Sequence, residues 1–233
     1  MKTAIATTVA VAAFCGSANA DFINVKFTGT GSGQNARVTI NGSTHDYFVG
    51  QLKHTLSAGT GAAAAMNGPV VTYCSDLFQS VTSSGKTYDV VGIDQLPGSN
   101  PMGAAKASAI RDIYTVAAGA QLALGASNAL ACAFQLAIWE IVTDYNGTAA
   151  SLNVTSGSFK AKKTNNNSLD SSVTTQLNNL FAGVGHQSTQ YSTLAGLRSG
   201  SAQDQIVAGS AVPTPGTLAA AGLIGLAGLR RRR

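Results

Sequence analysis

Charged side chains are scarce in this sequence. They make up 11% of its 233 residues, whereas 45% are hydrophobic and 26 are glycines. This composition is typical of an exported surface protein with a neutral exterior rather than of a cytosolic enzyme. The length is sufficient for one domain of ordinary size with a substantial hydrophobic core.

The folded body also lacks an excess of basic residues. The formal net charge is +5, but Lys2 and the four C-terminal arginines supply five of the fifteen Lys and Arg residues. The chain between them therefore holds ten basic and ten acidic side chains. Nucleic-acid binding requires a basic face, so the sequence predicts no nucleic-acid partner.

Metal ligands are few and badly spaced. His45, His54 and His186 do not have the spacing of a metal site, and the cysteines are too few to complete one. We therefore expect no metal and no other cofactor. A papain-like or transglutaminase-like pair, with Cys74 or Cys132 as nucleophile and His186 as base, is an alternative, but no recognisable motif surrounds either residue.

The N-terminus has the three regions of a secretory signal peptide. Lys2 is followed by an apolar run and by the small-residue pattern Ala-Asn-Ala, which ends at Ala20. We expect signal peptidase to cleave after Ala20, so that residues 1–20 are the signal peptide. Cys15 is then removed with it, and two cysteines remain.

The C-terminus carries a tail of three parts. It consists of Val212, Pro213, Thr214 and Pro215, an apolar run at 217–229, and the arginines Arg230, Arg231, Arg232 and Arg233. This order resembles the PEP-CTERM sorting tail of Gram-negative bacteria, with threonine in place of the usual glutamate. The resemblance implies that residues 209–233 contact the inner membrane transiently, are recognised by an exosortase, and direct the protein to the cell surface or extracellular matrix. A permanent anchor is the alternative, although a bilayer-spanning helix needs roughly 17 or more apolar residues.

The first part of the mature chain has the alternation of β-strands. Apolar residues alternate with polar ones at Ile23, Val25 and Phe27, and Asn41-Gly42 predicts a hairpin turn. Further strands are predicted over 47–56, 70–73 and 87–91. Cys74 thus falls at the end of a predicted strand.

From Pro101 the apolar period becomes helical. The sequence predicts one helix over 104–118, a second that is capped by Ser127 or Asn128, and a third that is capped by Ser168. The segment 149–164 is expected to be a loop or weak hairpin, and 191–207 to be extended. The predicted fold is α+β, a small N-terminal β-sheet or barrel unit followed by a helical subdomain, in a single thioester-like domain at 21–208.

The second predicted helix is apolar on all sides. Residues 131–142 read ACAFQLAIWEIV, in which Gln135 and Trp139 are four apart and share one face. A buried amide must find a partner or remain unpaired at a high cost. One chemical solution is attack by a cysteine thiol on the amide carbonyl, which expels ammonia and forms a thioester.

Two motifs resemble the thioester domain of bacterial surface adhesins. They are Tyr73-Cys74-Ser75-Asp76-Leu77 and Phe134-Gln135-Leu136-Ala137-Ile138-Trp139. In that family the cysteine of the first motif and the glutamine of the second form an internal thioester, which here implies a bond between Cys74 and Gln135. The resemblance covers roughly residues 50–144.

This resemblance implies a protein that reacts once. Trp139 is placed one turn beyond Gln135 and could shield the thioester from water. A nucleophile on a partner, most plausibly a lysine amine on a surface or in a matrix, would displace the Cys74 thiolate and leave a permanent crosslink. The expected function is therefore covalent adhesion, and the protein is not expected to be an enzyme with turnover.

Residue spacing leaves alternatives open. An exported protein with two cysteines ordinarily forms a disulfide, and Cys132 is only three residues before Gln135 on the same helix. A non-covalent matrix or adhesion protein with a Cys74–Cys132 disulfide is the rival reading. Glu140 either occupies a solvated or capped helix position or polarises the amide, and Asp76 is expected to hold backbone amides at the strand end.

Overall fold

The computed structural model describes residues 21–117 and 125–208, and the expected signal peptide and sorting tail lie outside this part. The described chain forms the mixed α+β fold that the sequence predicts. The strands are β1 (Phe22–Ile40), β2 (Ser43–Ser57), β3 (Gly68–Cys74), β4 (Lys86–Val91), β5 (Phe159–Lys162), β6 (Leu194–Arg198) and β7 (Gln205–Ala208). The α-helices are α1 (Gly103–Val116), α2 (Asn128–Asp144) and α3 (Ser171–Ala182).

Six of the described strands form a closed antiparallel ring. Their order is β1-β2-β3-β7-β6-β4, and β4 pairs again with β1. The fifth strand, β5, pairs with the far end of β1. One apolar cluster joins the ring strands, because successive side chains of a strand point to opposite faces and one set is buried. Its main members are Ile23, Val25, Leu56, Tyr88, Val90, Leu197 and Val207.

The order of the two parts along the chain differs from the prediction. The helices do not simply follow the β unit, because β6 and β7 come after α3 and insert between β3 and β4. The sequence predicts one extended piece over 191–207, but the structure has two strands there, β6 and β7, which pair with each other. Local alternation does not say which strands such a segment joins. The C-terminal part of the domain therefore completes the sheet.

The first two strands form a long, bent hairpin. Asn41 (φ 49°) and Gly42 (φ 85°) make the turn, which confirms the hairpin prediction, because this turn type needs positive φ at both positions. The pairing shifts register twice between residues 27 and 33, and such bulges bend a strand pair. At Gly33 an added Cβ would lie 2.5 Å from the carbonyl oxygen of Val49, so this close approach requires glycine.

The larger hydrophobic core surrounds α2. Ser127 caps this helix as predicted, and its Oγ accepts a hydrogen bond from the Leu130 amide at 3.2 Å. All residues from 130 to 141 are buried, as expected for a helix that is apolar on all sides. The helix contacts α1, α3, β1 and β2, and at its C-terminal end Lys106 Nζ donates to the Val142 carbonyl at 2.7 Å.

The remaining helix predictions are close to the observed bounds. The first helix begins at Gly103 instead of Ala104, and α3 has Asp170 at its N-cap position instead of Ser168. The segment 149–164 contains a short 3-10 helix and β5. Nowhere in residues 21–117 and 125–208 does a helix combine the length and the apolar character needed to cross a bilayer.

Candidate functional site

The end of β3 and the second turn of α2 bring Cys74 and Gln135 together. The Cys74 amide donates to Gln135 Oε1 at 2.8 Å, and Gln135 Nε2 donates to the Cys74 carbonyl at 2.7 Å. Both residues are buried, with 2% and 1% of their surface exposed. The side-chain amide thus pairs with the backbone of Cys74 much as a peptide group of a neighbouring strand would.

The backbone of Asp76 holds the sulfur of Cys74. Its Sγ donates to the Asp76 carbonyl at 2.8 Å and accepts from the Asp76 amide at 3.2 Å. Burial raises the pKa of the Cys74 thiol well above its ordinary range, and contacts with the Trp139 indole and the Asp76 backbone lower it by less. Burial therefore favours the protonated form of the Cys74 thiol.

The loop after β3 is fixed from several directions. Asp76 Oδ1 accepts from the Phe78 amide at 2.8 Å, which is the backbone-holding role expected of this residue. Its Oδ2 is buried without a hydrogen-bond partner in the described structure. Gln203 Nε2 donates to the Asp76 carbonyl at 3.1 Å, and the Ser75 amide donates to the Asp204 carbonyl at 3.1 Å. These bonds hold the cysteine at a defined position.

Trp139 packs next to this pair. It is 3% exposed and contacts the rings of Tyr47 and Phe159, each with centroids 6.3 Å away. Its indole Nε1 has no hydrogen-bond partner among the described residues, and the indole lowers the pKa of the neighbouring Cys74 thiol. The indole lies against the same space as Cys74 and Gln135.

A cavity of about 230 Å³ opens beside the cysteine and the glutamine. Cys74, Gln135 and Trp139 all line it, and we call it the Cys74 cavity. A second cavity, of about 280 Å³, is lined by Asp76 and Lys106 together with Trp139. Trp139 and Leu77 line both cavities.

Cys132 has different surroundings. It is fully buried, which raises the pKa of its thiol to about 12, while a hydrogen bond with Gln34 lowers this pKa and nearby Asp170 raises it. Cys74 and Cys132 are both free thiols in the structure. The Cys74–Cys132 disulfide of the alternative hypothesis stays a prediction.

Glu140 occupies neither of its expected positions. Its side chain is fully buried rather than solvated, and its Oε1 accepts from the Asn153 amide at 2.7 Å. It therefore holds the chain after α2 and is not bonded to the amide of Gln135. Burial raises the pKa of Glu140 to about 7, the Asn153 bond lowers it, and the charge of Asp144 raises it.

The histidines do not join the site. His54 is buried in β2, where its Nδ1 lies 3.1 Å from the Thr72 hydroxyl, and burial lowers the pKa of His54 to about 4. His186 is exposed after α3 and is not bonded to Cys74. In the part of the chain that the structure describes, no group of three or more His, Cys, Asp and Glu side chains could hold a metal ion.

Sequence reasoning missed most of the walls of the Cys74 cavity. Tyr47 and Phe48 reach it from β2, and Gln79 and Gln203 reach it from loops. Two adjacent aromatic residues on a predicted strand do indicate such a wall, because neighbouring side chains of a strand face opposite sides and one of these rings must face away from the core of the ring of strands. The two glutamines give no such signal.

Comparison of the chain with protein-family models, with curated proteins and with solved structures finds no match. The functional argument therefore depends on the chemistry of the residues described above.

Proposed function

We propose that Cys74 and Gln135 form an internal thioester, which the protein uses to attach itself covalently to a nucleophile on a surface or in an extracellular matrix. The observation that supports this best is the pair of hydrogen bonds, 2.8 and 2.7 Å long, between the Gln135 amide and the backbone of Cys74. These bonds keep the amide beside the residue whose sulfur must attack it, and such positioning supplies much of the rate of an intramolecular reaction.

Formation of the thioester exchanges one bond for another. The Cys74 sulfur attacks the side-chain carbonyl carbon of Gln135, the C–S bond forms, the C–N bond breaks, and the thiol proton leaves with the nitrogen as ammonia. The Cys74 amide already donates to the carbonyl oxygen, so it can polarise the carbonyl and stabilise the negative charge that develops there. Because burial favours the protonated thiol, proton transfer must accompany the attack.

Attachment is the second exchange. A nucleophile, most plausibly a lysine amine on the partner, attacks the thioester carbon, a C–N bond forms, the C–S bond breaks, and the released proton passes to the Cys74 sulfur. The product is an amide crosslink and a free thiol. The protein is consumed in this step, so it is not an enzyme in the sense of turnover.

The proposal includes export. Signal peptidase would cleave after Ala20, and an exosortase would recognise the tail from Val212 to the terminal arginines. The protein would then act at the surface or in the matrix of a Gram-negative bacterium. These steps rest on sequence pattern alone, because both segments lie outside the described residues.

One rival uses the same observation. The two hydrogen bonds also give each polar atom of the buried Gln135 amide a partner, which is all that a structural role requires. A non-covalent adhesion or matrix protein would then have the same geometry. Neither function needs a cofactor.

The intact mass of natively purified mature protein separates these functions. The thioester predicts the loss of one ammonia, no reducible bond, and addition of methylamine to Gln135 with exposure of one thiol. A mass that retains the ammonia, together with no methylamine incorporation, contradicts the covalent proposal. Loss of two hydrogens that reductant reverses would instead indicate the Cys74–Cys132 disulfide.

A further inference from the structure

The Cys74 cavity has an uncharged lining. None of the described residues that form its wall is Asp, Glu, Lys, Arg or His. Aromatic rings contribute from Tyr47, Phe48 and Trp139, and polar groups come from hydroxyls and amides, among them Gln79. A group that approaches Cys74 and Gln135 through this cavity therefore meets a neutral and largely apolar surface.

An ammonium group gains little from such a surface. It loses hydration on entry, and no carboxylate in the lining replaces the lost water. Aromatic rings attract a cation, but this attraction stabilises the protonated form, which has no lone pair with which to attack. A lysine amine has an ordinary pKa of about 10.4, so only a small fraction of it is unprotonated near neutral pH.

The second cavity offers the opposite chemistry. Asp76 and Lys106 line it, whereas Cys74 and Gln135 do not. A cation in that cavity would find a carboxylate in its lining. The charges of Asp76 and Asp204 also act on the Cys74 thiol, but neither residue lines the Cys74 cavity.

A hydroxyl group fits the neutral cavity better. It carries no charge near neutral pH and keeps its lone pairs available. Gln79 Oε1 is a buried amide oxygen without a hydrogen-bond partner in the described structure, so it is an unused acceptor beside the cavity. A few such polar groups in an apolar pocket ordinarily orient a bound molecule.

We infer from this lining that the Cys74–Gln135 thioester has a second class of acceptor, the hydroxyl groups of alcohols and saccharides, to which it transfers the Gln135 acyl group as an ester. The inference rests on the proposed thioester. In the step an O–C bond forms, the C–S bond breaks, and the hydroxyl proton moves to the Cys74 sulfur. That sulfur is a suitable base, because burial raises the pKa of the thiol that it becomes.

The test compares acceptors on natively purified mature protein. Samples are incubated with glycerol, methyl glucoside, N-acetylserine amide or methylamine between about pH 6 and pH 9 and are analysed by intact mass and peptide mapping. We expect the hydroxyl compounds to add at Gln135, with release of one thiol and with yields that change less than about threefold over this range. Methylamine incorporation should rise roughly tenfold per pH unit, as its unprotonated fraction does.

Two further measurements identify the bond and its source. Alkaline hydroxylamine should remove the hydroxyl adducts, because esters react with it, and should leave the methylamine adduct in place. The yields with methyl glucoside and N-acetylserine amide then show whether sugar or protein hydroxyls are the preferred acceptor.

A charge variant tests the role of the lining. Gln79→Glu places a carboxylate at the cavity that can bind an ammonium group and accept its proton, so the ratio of methylamine to glycerol adducts should rise roughly tenfold near neutral pH. Gln95→Glu is the matched control, because Gln95 is exposed, lies outside the cavity, and accepts a bond from Arg198 at 3.4 Å that glutamate can also accept. This control should leave the ratio unchanged.

The outcomes are distinguishable. Methylamine incorporation without any ester at any pH overturns the inference and leaves the proposed thioester standing. Retention of ammonia in the mass, with neither adduct, overturns both. Ester formation with a ratio that Gln79→Glu does not change overturns the assignment of acceptor choice to the neutral lining.

Discussion

The two cysteines of the described domain are both buried, but their neighbours differ. The backbone of Cys74 is bonded to the amide of Gln135, and its sulfur is held at Asp76 beside a cavity. Cys132 lies in α2 next to Gln34. Burial raises the pKa of both thiols. Burial alone therefore does not distinguish the two cysteines, whereas the Gln135 amide bonded to the backbone of Cys74 does.

Replacement of each cysteine in turn should give the largest effect. Cys74→Ala should abolish the loss of ammonia from Gln135 completely, because the Gln135 amide is bonded to the backbone of Cys74 and this variant lacks the Cys74 sulfur. Cys132→Ala should retain the ammonia loss and the methylamine addition. Intact mass of the two variants provides the measurement. Equal loss of ammonia in both variants would remove the distinction between the two sites.

Replacement of the covering ring should give the next largest effect. Trp139→Leu removes the indole that lines the Cys74 cavity and should increase the hydrolysis rate of the thioester by roughly tenfold, because water then reaches the acyl group. Both this variant and its packing control, Phe159→Leu, should lose about 1–3 kcal/mol of unfolding free energy. The hydrolysis rate is measured from the decrease with time in the fraction of protein that still reacts with methylamine.

Phe159→Leu is the control for lost packing. Phe159 is fully buried and contacts Trp139, but it does not line the Cys74 cavity. Its replacement should destabilise the fold by a similar amount without faster hydrolysis. If both variants accelerated thioester hydrolysis equally, protection of the thioester would come from the general rigidity of the fold and not from the indole.

The carboxyl group of Glu140 gives a smaller, pH-dependent effect. Burial raises its pKa from 4.5 to about 7, so the folded state binds this proton more tightly than the unfolded state does. The resulting stability is complete below about pH 4.5 and is lost as the pH rises through 7. Glu140→Gln keeps an acceptor for the Asn153 amide but cannot ionise, so it should raise the unfolding free energy at about pH 8 by roughly 2–3 kcal/mol.

Urea unfolding of this variant and the unsubstituted protein at about pH 5 and pH 8 provides the measurement. The variant also tests whether Glu140 takes part in the reaction at Cys74 and Gln135. If ammonia loss from Gln135 stops in Glu140→Gln, the carboxyl group belongs to the reacting site after all.

The N-terminal cap of α2 should give the smallest effect. Ser127→Ala removes the acceptor for the Leu130 amide and should cost about 1 kcal/mol of unfolding free energy. Because this cap lies at the Cys132 end of the helix, thioester formation should not change. A fall in ammonia loss at a temperature where the variant remains folded would show that the helix end positions Gln135.

Much of the fold could be predicted from the sequence. The hairpin at Asn41-Gly42 and the capped start of α2 depend on local residue chemistry, and both are confirmed. The insertion of β6 and β7 into the ring could not be predicted, because strand partners are chosen by contacts between distant segments.

The candidate site shows the same division. The two motifs nominated Cys74 and Gln135 through a resemblance, and the structure places these residues in direct hydrogen-bond contact. Spacing along α2 could not decide between a Cys74–Gln135 thioester and a Cys74–Cys132 disulfide, since residue separation on a helix does not show where a sulfur points. The burial of Glu140 could not be predicted either, because nothing in the neighbouring sequence indicates the distant Asn153 amide that it binds.

The ring of strands also sets the timing of assembly. Cys74 pairs directly with Gln205 on β7, which is the last described strand, so this neighbour of Cys74 is synthesised about 130 residues after it. A chain that is still being threaded across a membrane would lack this strand. We therefore expect the thiol and the amide to reach their final arrangement only after nearly the whole domain has been delivered, which would keep the group unreactive while it is still inside the producing cell.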